Sequence, residues 1–116
     1  MHSPEVDGLA VLPELTDDAL LICNLLPRRI RGREKISKVM RALESHFVAV
    51  SDVERINSSG HRIIESVAVL PSGDRVKMTV FGTRDEVGWI SEVSLTLDDE
   101  AGRPELKKIL KAAADA

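Results

Sequence analysis

Three side chains stand where they could carry proton-transfer or nucleophilic chemistry: His46, Asp52 and Cys23. His46 closes the most regular helical run of the chain, and an imidazole there could move a proton near neutral pH. The same position also suits a cation that does no more than complement the C-terminal end of the helix dipole. Asp52, with Glu54 two residues on, sits in the alternating segment that follows and is a candidate pocket acid. Cys23 lies inside an apolar run. A thiol becomes a nucleophile when a cation or a helix N-terminus lowers its pKa, and Ile22, Asn24 and Leu25 supply neither. Cys23 therefore reads first as a small buried hydrophobe. His61 follows a turn and reads as surface, His2 lies at the terminus, and no two histidines have metal-ligand spacing, so no zinc site is expected.

A run of cations, Arg28, Arg29, Arg31, Arg33 and Lys35, raises the question of a phosphate or nucleic-acid partner. Asp17, Asp18 and Glu34 flank it and no aromatic is interleaved, so a solvated loop is the expectation and nucleic acid is not. Gly32 ahead of a helix could still present free amides to an anionic group. Glu65 and Glu92 interrupt apolar strands, and alternation assigns them to the outer face of a half-buried sheet. No Walker, Rossmann or nucleophile-elbow motif occurs.

The elements that must position these groups follow from periodicity. Ser3-Pro4-Glu5 carries a cap, a first-turn proline and an acid, which predicts a short helix over residues 4–12, ended by Pro13. A turn at Thr16-Asp17-Asp18 and a strand over residues 19–25 follow. From Gly32 onward Ile36, Val39, Met40 and Leu43 recur at helical spacing, with Lys35, Lys38, Arg41 and Glu44 on the other face, to a helix end near His46. The period then changes to two. Residues 48–56, 62–70, 75–84 and 89–97 read as strands, separated by Asn57-Ser58-Ser59-Gly60, Pro71-Ser72-Gly73-Asp74 and Asp85-Glu86-Val87-Gly88, each a turn signal. Four strands with short turns make an antiparallel meander. Gly102-Arg103-Pro104 opens a last helix over residues 105–114, with Leu106, Ile109, Leu110 and Ala113 on one face.

Composition sets the outer limits. A chain of 116 residues, 43% hydrophobic and 30% charged with net charge −3, builds one small soluble domain without a field that calls for nucleic acid or membrane. No apolar run approaches the roughly 20 residues of a membrane helix. One cysteine and no signal-peptide pattern at the start lead us to expect a cytoplasmic protein. With no Tyr, two Phe and one Trp, stacking platforms for single-stranded nucleic acid are scarce.

The stretch Thr16 to Ile36, with Asp17-Asp18-Ala19 opening a strand and Gly32-Arg33-Glu34-Lys35-Ile36 starting a helix, resembles the SnoaL-like and ketosteroid-isomerase-like branch of the nuclear-transport-factor-two-like superfamily. Asp85-Glu86-Val87-Gly88-Trp89-Ile90 is similar to the turn before that family's last strand, with two extra residues between acid and glycine. The resemblance covers residues 9–97. It implies an α+β, cystatin-like domain over residues 1–116, whose curved antiparallel sheet wraps helices to form a cone. The N-terminal helical part is shortened, and the helix over 105–114 is expected to cover the cone in its place, packed on the domain or on a dimer partner near the mouth of the cavity.

The resemblance also implies a largely apolar pocket, lined by Leu21, Cys23, Met78, Val80, Val93, Leu95 and Leu97. Cys23 stands where the isomerases carry their catalytic aspartate, the oxyanion-donor position falls near Val80, and the tyrosine donor would lie in the shortened helix. Steroid isomerisation by that mechanism is thus disfavoured. Some dehydratases of the superfamily place a histidine at the junction His46 occupies. The expectation is a domain that binds a small apolar or cyclic molecule and, if catalytic, acts as a cofactor-independent isomerase, cyclase or lyase. His46 is then the first acid or base, with Asp52 and Cys23 behind it. The alternative is a non-catalytic binding or dimerisation module. A homodimer is expected through the outer face of the sheet, built from Thr79, Phe81, Ile90, Glu92 and Ser94.

Overall fold

The computed structural model describes residues 7–98 and 103–115, with the side chains of 7–10, Asp52 and Arg103 left aside. A 3₁₀ helix, Asp7–Glu14, leads into β1 (Leu15–Cys23), β2 (Ile30–Arg31), α1 (Arg33–His46), β3 (Ala49–Asn57), β4 (His61–Val69), β5 (Arg75–Arg84), β6 (Ile90–Asp98) and α2 (Arg103–Asp115). The predicted helix over 4–12 is replaced, within the described residues, by the 3₁₀ segment, and Pro13 lies inside it. Its first residues, Pro4 among them, lie outside the described part.

The six strands form one curved, unclosed sheet in the order β2-β1-β6-β5-β4-β3. β3 to β6 are the antiparallel meander that the turn signals predict. Contrary to a wholly antiparallel sheet, β1 runs parallel to β6. No hairpin links these two strands, so no tight turn fixes their relative direction. The predicted turn at residues 16–18 is instead a bulge inside β1: Leu15 pairs with Ile90, Leu20 already pairs with Glu92, and the residues between loop out of register. The two-residue β2 pairs with Leu20 and Leu21 and carries no periodic signal of its own.

Gly32, at φ 106, turns the chain from β2 into α1, a conformation that side chains with a Cβ rarely adopt. The helix buries Ile36, Val39, Met40 and Leu43, the stripe predicted from spacing. Alternation along the strands directs Ile64, Ala68, Val76, Met78, Val80, Val93, Leu95 and Leu97 into the same core, beside Leu21 and Cys23 of β1. From the far end of the chain α2 adds Leu106 and Leu110, both fully buried, with Ile109 and Ala113 half-buried.

One face assignment is overturned. Ile90 is fully buried, not part of the outer face, because the β5–β6 register slips by one residue: Thr83 pairs with Glu92 and Arg84 with Ile90, leaving Ser91 unpaired. That bulge rotates Ile90 inward. Glu65 and Thr79 pair on the outer face, and Glu92 is exposed there, as alternation requires.

Candidate functional site

His46 and Glu105 meet where the two helices abut. His46 ends α1 and Glu105 lies in the first turn of α2, so each ionisable group stands at the helix end whose dipole favours its charge. Nε2–H of His46 donates to Oε2 of Glu105, a contact between side chains 24% and 41% exposed. An ionised carboxylate can only accept, so in this bond Nε2 carries a proton. The pair can orient an imidazole for proton transfer, and it equally docks one helix on the other. Sequence reading missed Glu105, although an acid in the first turn after Gly102-Arg103-Pro104 is a helix-start signal in its own right.

Cys23 ends β1 and is 4% exposed. Burial pushes its thiol above the ordinary range, opposed by smaller contributions from the backbone of Leu25 and Leu26. The thiol therefore stays protonated at neutral pH, the opposite of an activated nucleophile. Beside it, Asn24 extends the parallel ladder past the end of the strand: its Nδ2 donates to the Leu97 carbonyl at 2.9 Å and its Oδ1 accepts from the Leu97 amide at 3.0 Å. A side-chain amide here does the work of a peptide unit. Asn24 interrupts the apolar run in the sequence without interrupting the pairing.

Asp52 pairs through its backbone with Ser66, and its side chain is outside the described set. Glu54 is exposed opposite Glu65. The seven residues expected to line a pocket, Leu21, Cys23, Met78, Val80, Val93, Leu95 and Leu97, all lie in the core at 4% exposure or less. His61 is exposed, as expected, with its ring 5.0 Å from that of Phe81 on the outer face of the sheet.

A polar cluster that the sequence did not announce closes one end of the sheet. Arg84, with an 8% exposed side chain, donates to Glu14 Oε1 at 2.8 Å, and Arg62 donates to Glu14 Oε2 at 3.0 Å. Asp85 caps the adjoining turn by accepting from the amides of Val87, Gly88 and Trp89. Every charge in this cluster has a partner within it or beside it, and the arrangement ties loops together. Among the described residues no group of three or more His, Cys, Asp or Glu could hold a metal ion. No described helix is long and apolar enough to cross a membrane.

No protein-family model matches the chain. No curated protein matches it either. Solved structures do. An uncharacterized bacterial protein with a cystatin-like fold from Silicibacter pomeroyi is 13% identical, with a TM-score of 0.77 over 91% of this chain and 74% of that one. A steroid delta-isomerase from Pseudomonas aeruginosa is 15% identical, with a TM-score of 0.75 over 91% and 78%. A protein with a ketosteroid isomerase-like fold from Catenulispora acidiphila, solved with trimethylamine, is 18% identical, with a TM-score of 0.56 over 78% and 74%. At these identities the likeness shows the fold: this chain is built on the cystatin-like, nuclear-transport-factor-two-like plan that its sequence resembles.

Proposed function

We propose that the chain binds a small, largely apolar molecule between the inner face of its sheet and its helices, beside Met78, Val80, Val93, Leu95 and Leu97. The observation that carries this reading is how the inner face is covered. An apolar wall from five strands is covered by α1 through Ile36, Val39, Met40 and Leu43, and α2 packs against α1 and adds Leu106 and Leu110 to the same core from the far end of the chain. That helix is also held to α1 by the His46–Glu105 pair. A cover attached through one polar pair and a short apolar stripe centred on Leu106 and Leu110 can be displaced by a ligand that replaces those leucines. The trimethylamine complex on the same fold supports a small-molecule partner.

Catalysis is a second reading, favoured by the carboxylate on His46. It is a cofactor-independent isomerase, cyclase or lyase reaction with His46 as acid or base and Asp52 or Cys23 in support. The protonated, buried thiol of Cys23 weighs for a binding module. In either case we expect a homodimer through the outer face of the sheet, where Phe81 and Ile63 lie side by side. Light scattering that returns a monomer mass at micromolar concentration would remove the dimer.

The binding test uses methyl-labelled methionine and a panel of neutral cyclic ketones, enones and alcohols. A ligand seated in the interior shifts the Met78 methyl resonance and raises the melting temperature. If no compound moves that resonance, the reading fails. Where turnover is found, His46→Ala should lower it by about 10² to 10⁴, and unchanged turnover would leave only the binding module.

A further inference from the structure

Two clefts meet along the loop after β1. One, of about 490 Å³, lies between that loop and the end of α2, with Arg28, Arg29, Lys35 and Lys111 around Leu26 and Ile30. The other, of about 520 Å³, shares Leu26, Pro27 and Lys111 and continues along α2 past Lys107 and Lys108. Six cations from a loop and two helices thus converge on one surface of a chain whose net charge is −3. Asp115 is the one carboxylate among the described residues that line either cleft.

The remaining cations of the same sequence run are occupied elsewhere. Arg33 binds Asp17 at 2.6 Å and Arg31 donates to the Asp18 carbonyl at 3.3 Å, both on β1. Among the described residues the side chains of Arg28, Arg29, Lys35 and Lys111 make no ion pair or hydrogen bond. Like charges brought together repel, and the fold keeps these four around one concavity with Asp115 as the one carboxylate among the described lining residues. Beneath them the floor is apolar: Leu25 and Ile30 are buried and Leu26 is half-buried. Among the described residues no aromatic lines either cleft, which leaves no platform for stacked bases there.

We propose that the joined cleft binds an amphipathic anion, a free small molecule with a carboxylate or phosphate head held by Arg28, Arg29, Lys35 and Lys111. Its aliphatic body lies over Leu26 and Pro27 toward Lys107. A head group of this class recruits charge-assisted bonds that a neutral analogue cannot make. The concave shape favours a single molecule over the flat surface of a bilayer. The basic run alone carries no sign of this cleft, because Lys107, Lys108 and Lys111 reach the loop only through the docking of α2.

Calorimetric titration of the full chain tests it. The ligands are decyl phosphate and decanoate below their micelle concentrations, with decanol, inorganic phosphate and phosphatidylglycerol vesicles as comparisons. Both amphiphiles should bind, and decanol and inorganic phosphate should each bind at least about tenfold more weakly. Arg28→Glu and Lys111→Glu, both at exposed positions, should each cost at least about tenfold in affinity, with weakening as salt rises. Lys77→Glu, exposed on β5, should leave affinity unchanged. Equal binding of decanol, equal binding of inorganic phosphate, indifference to both charge reversals, or binding to vesicles alone would each overturn the proposal. Binding that shifts the Met78 methyl and survives Lys111→Glu would do the same by moving the ligand to the interior.

Discussion

His46 and Glu105, 59 residues apart in the chain, are joined by a hydrogen bond from Nε2 to Oε2 that fastens the last residue of α1 to the first turn of α2. Because Glu105 is 41% exposed, water screens much of the attraction. A double-mutant cycle with His46→Ala and Glu105→Gln should therefore return a coupling of only about 0.2–1 kcal/mol. The structural consequence should be larger than the energetic one. Amide hydrogen exchange in α2 is expected to quicken in both single variants and no further in the double variant. Additive acceleration would mean that the two residues act separately.

Cys23 gives a pH dependence with a definite sign. The folded chain holds the thiol above its ordinary range by burial, whereas the unfolded chain titrates near about pH 8.5. Above that pH the unfolded state binds fewer protons than the folded one, so stability falls as pH rises. The contribution of the buried thiol is complete below about pH 8.5 and is lost above it, with a slope approaching about 1.4 kcal/mol per pH unit. Urea midpoints followed to alkaline pH should show this decline, and Cys23→Ala should flatten it. Parallel profiles for the two proteins would sink the assignment. Thiol reagents should also label Cys23 slowly in the folded chain and rapidly in urea.

How much of this was legible depends on the range of the interactions. The stripe Ile36, Val39, Met40, Leu43 and the alternation of β4 and β5 are local patterns with a fixed period, and both appear in the structure where spacing puts them. The parallel β1–β6 pairing was not legible, because no turn connects those strands and the aspartates at residues 17–18 imitate a turn while forming a bulge. The same is true of Ile90, whose face is set by a one-residue slip against β5. At the candidate site His46 and Cys23 stand out by residue type. Glu105, the partner of His46, and Asn24, the neighbour of Cys23, do not, since one is ordinary in a helix start and the other reads as a break in a strand.

Gly82 lies under the inward-turned Ile90. A Cβ added at Gly82 would sit 3.1 Å from Cδ1 and 3.2 Å from Cγ2 of Ile90, a side chain with no exposure and little room to retreat. Gly82→Ala should cost about 1–3 kcal/mol through this overpacking. Adding Ile90→Val removes one of the two crowded atoms. Although that change alone costs about 0.5–1.5 kcal/mol, the double variant should lose less than the sum of the singles. Chemical denaturation of the four proteins supplies the comparison, and strict additivity would show that the two residues do not press on one another.

Arg84 should be the costliest surface-distant charge to lose, because it is the point at which three loops are tied. Its Nη1 donates to Glu14 Oε1 and to the Gly88 carbonyl, both at 2.8 Å. Its Nη2 donates to Asn57 Oδ1 at 2.6 Å and its Nε to the Ser58 carbonyl at 3.0 Å. The 3₁₀ segment, the β3–β4 turn and the β5–β6 turn thus share one planar guanidinium. The side chain is 8% exposed, and the Glu14 and Gly88 acceptors are part-buried, while Asn57 and Ser58 are exposed and can turn to water when it is removed. Glu14 keeps Arg62 as a second partner, so Arg84→Ala should cost about 2–3 kcal/mol and not the full penalty of an orphaned buried charge. Arg84→Lys tests the geometry. A lysine restores the charge with a point ammonium that cannot span acceptors in three directions, so about 1–2 kcal/mol should remain lost. A lysine variant as stable as the parent would show that charge alone, and not the fork, holds this end of the sheet together.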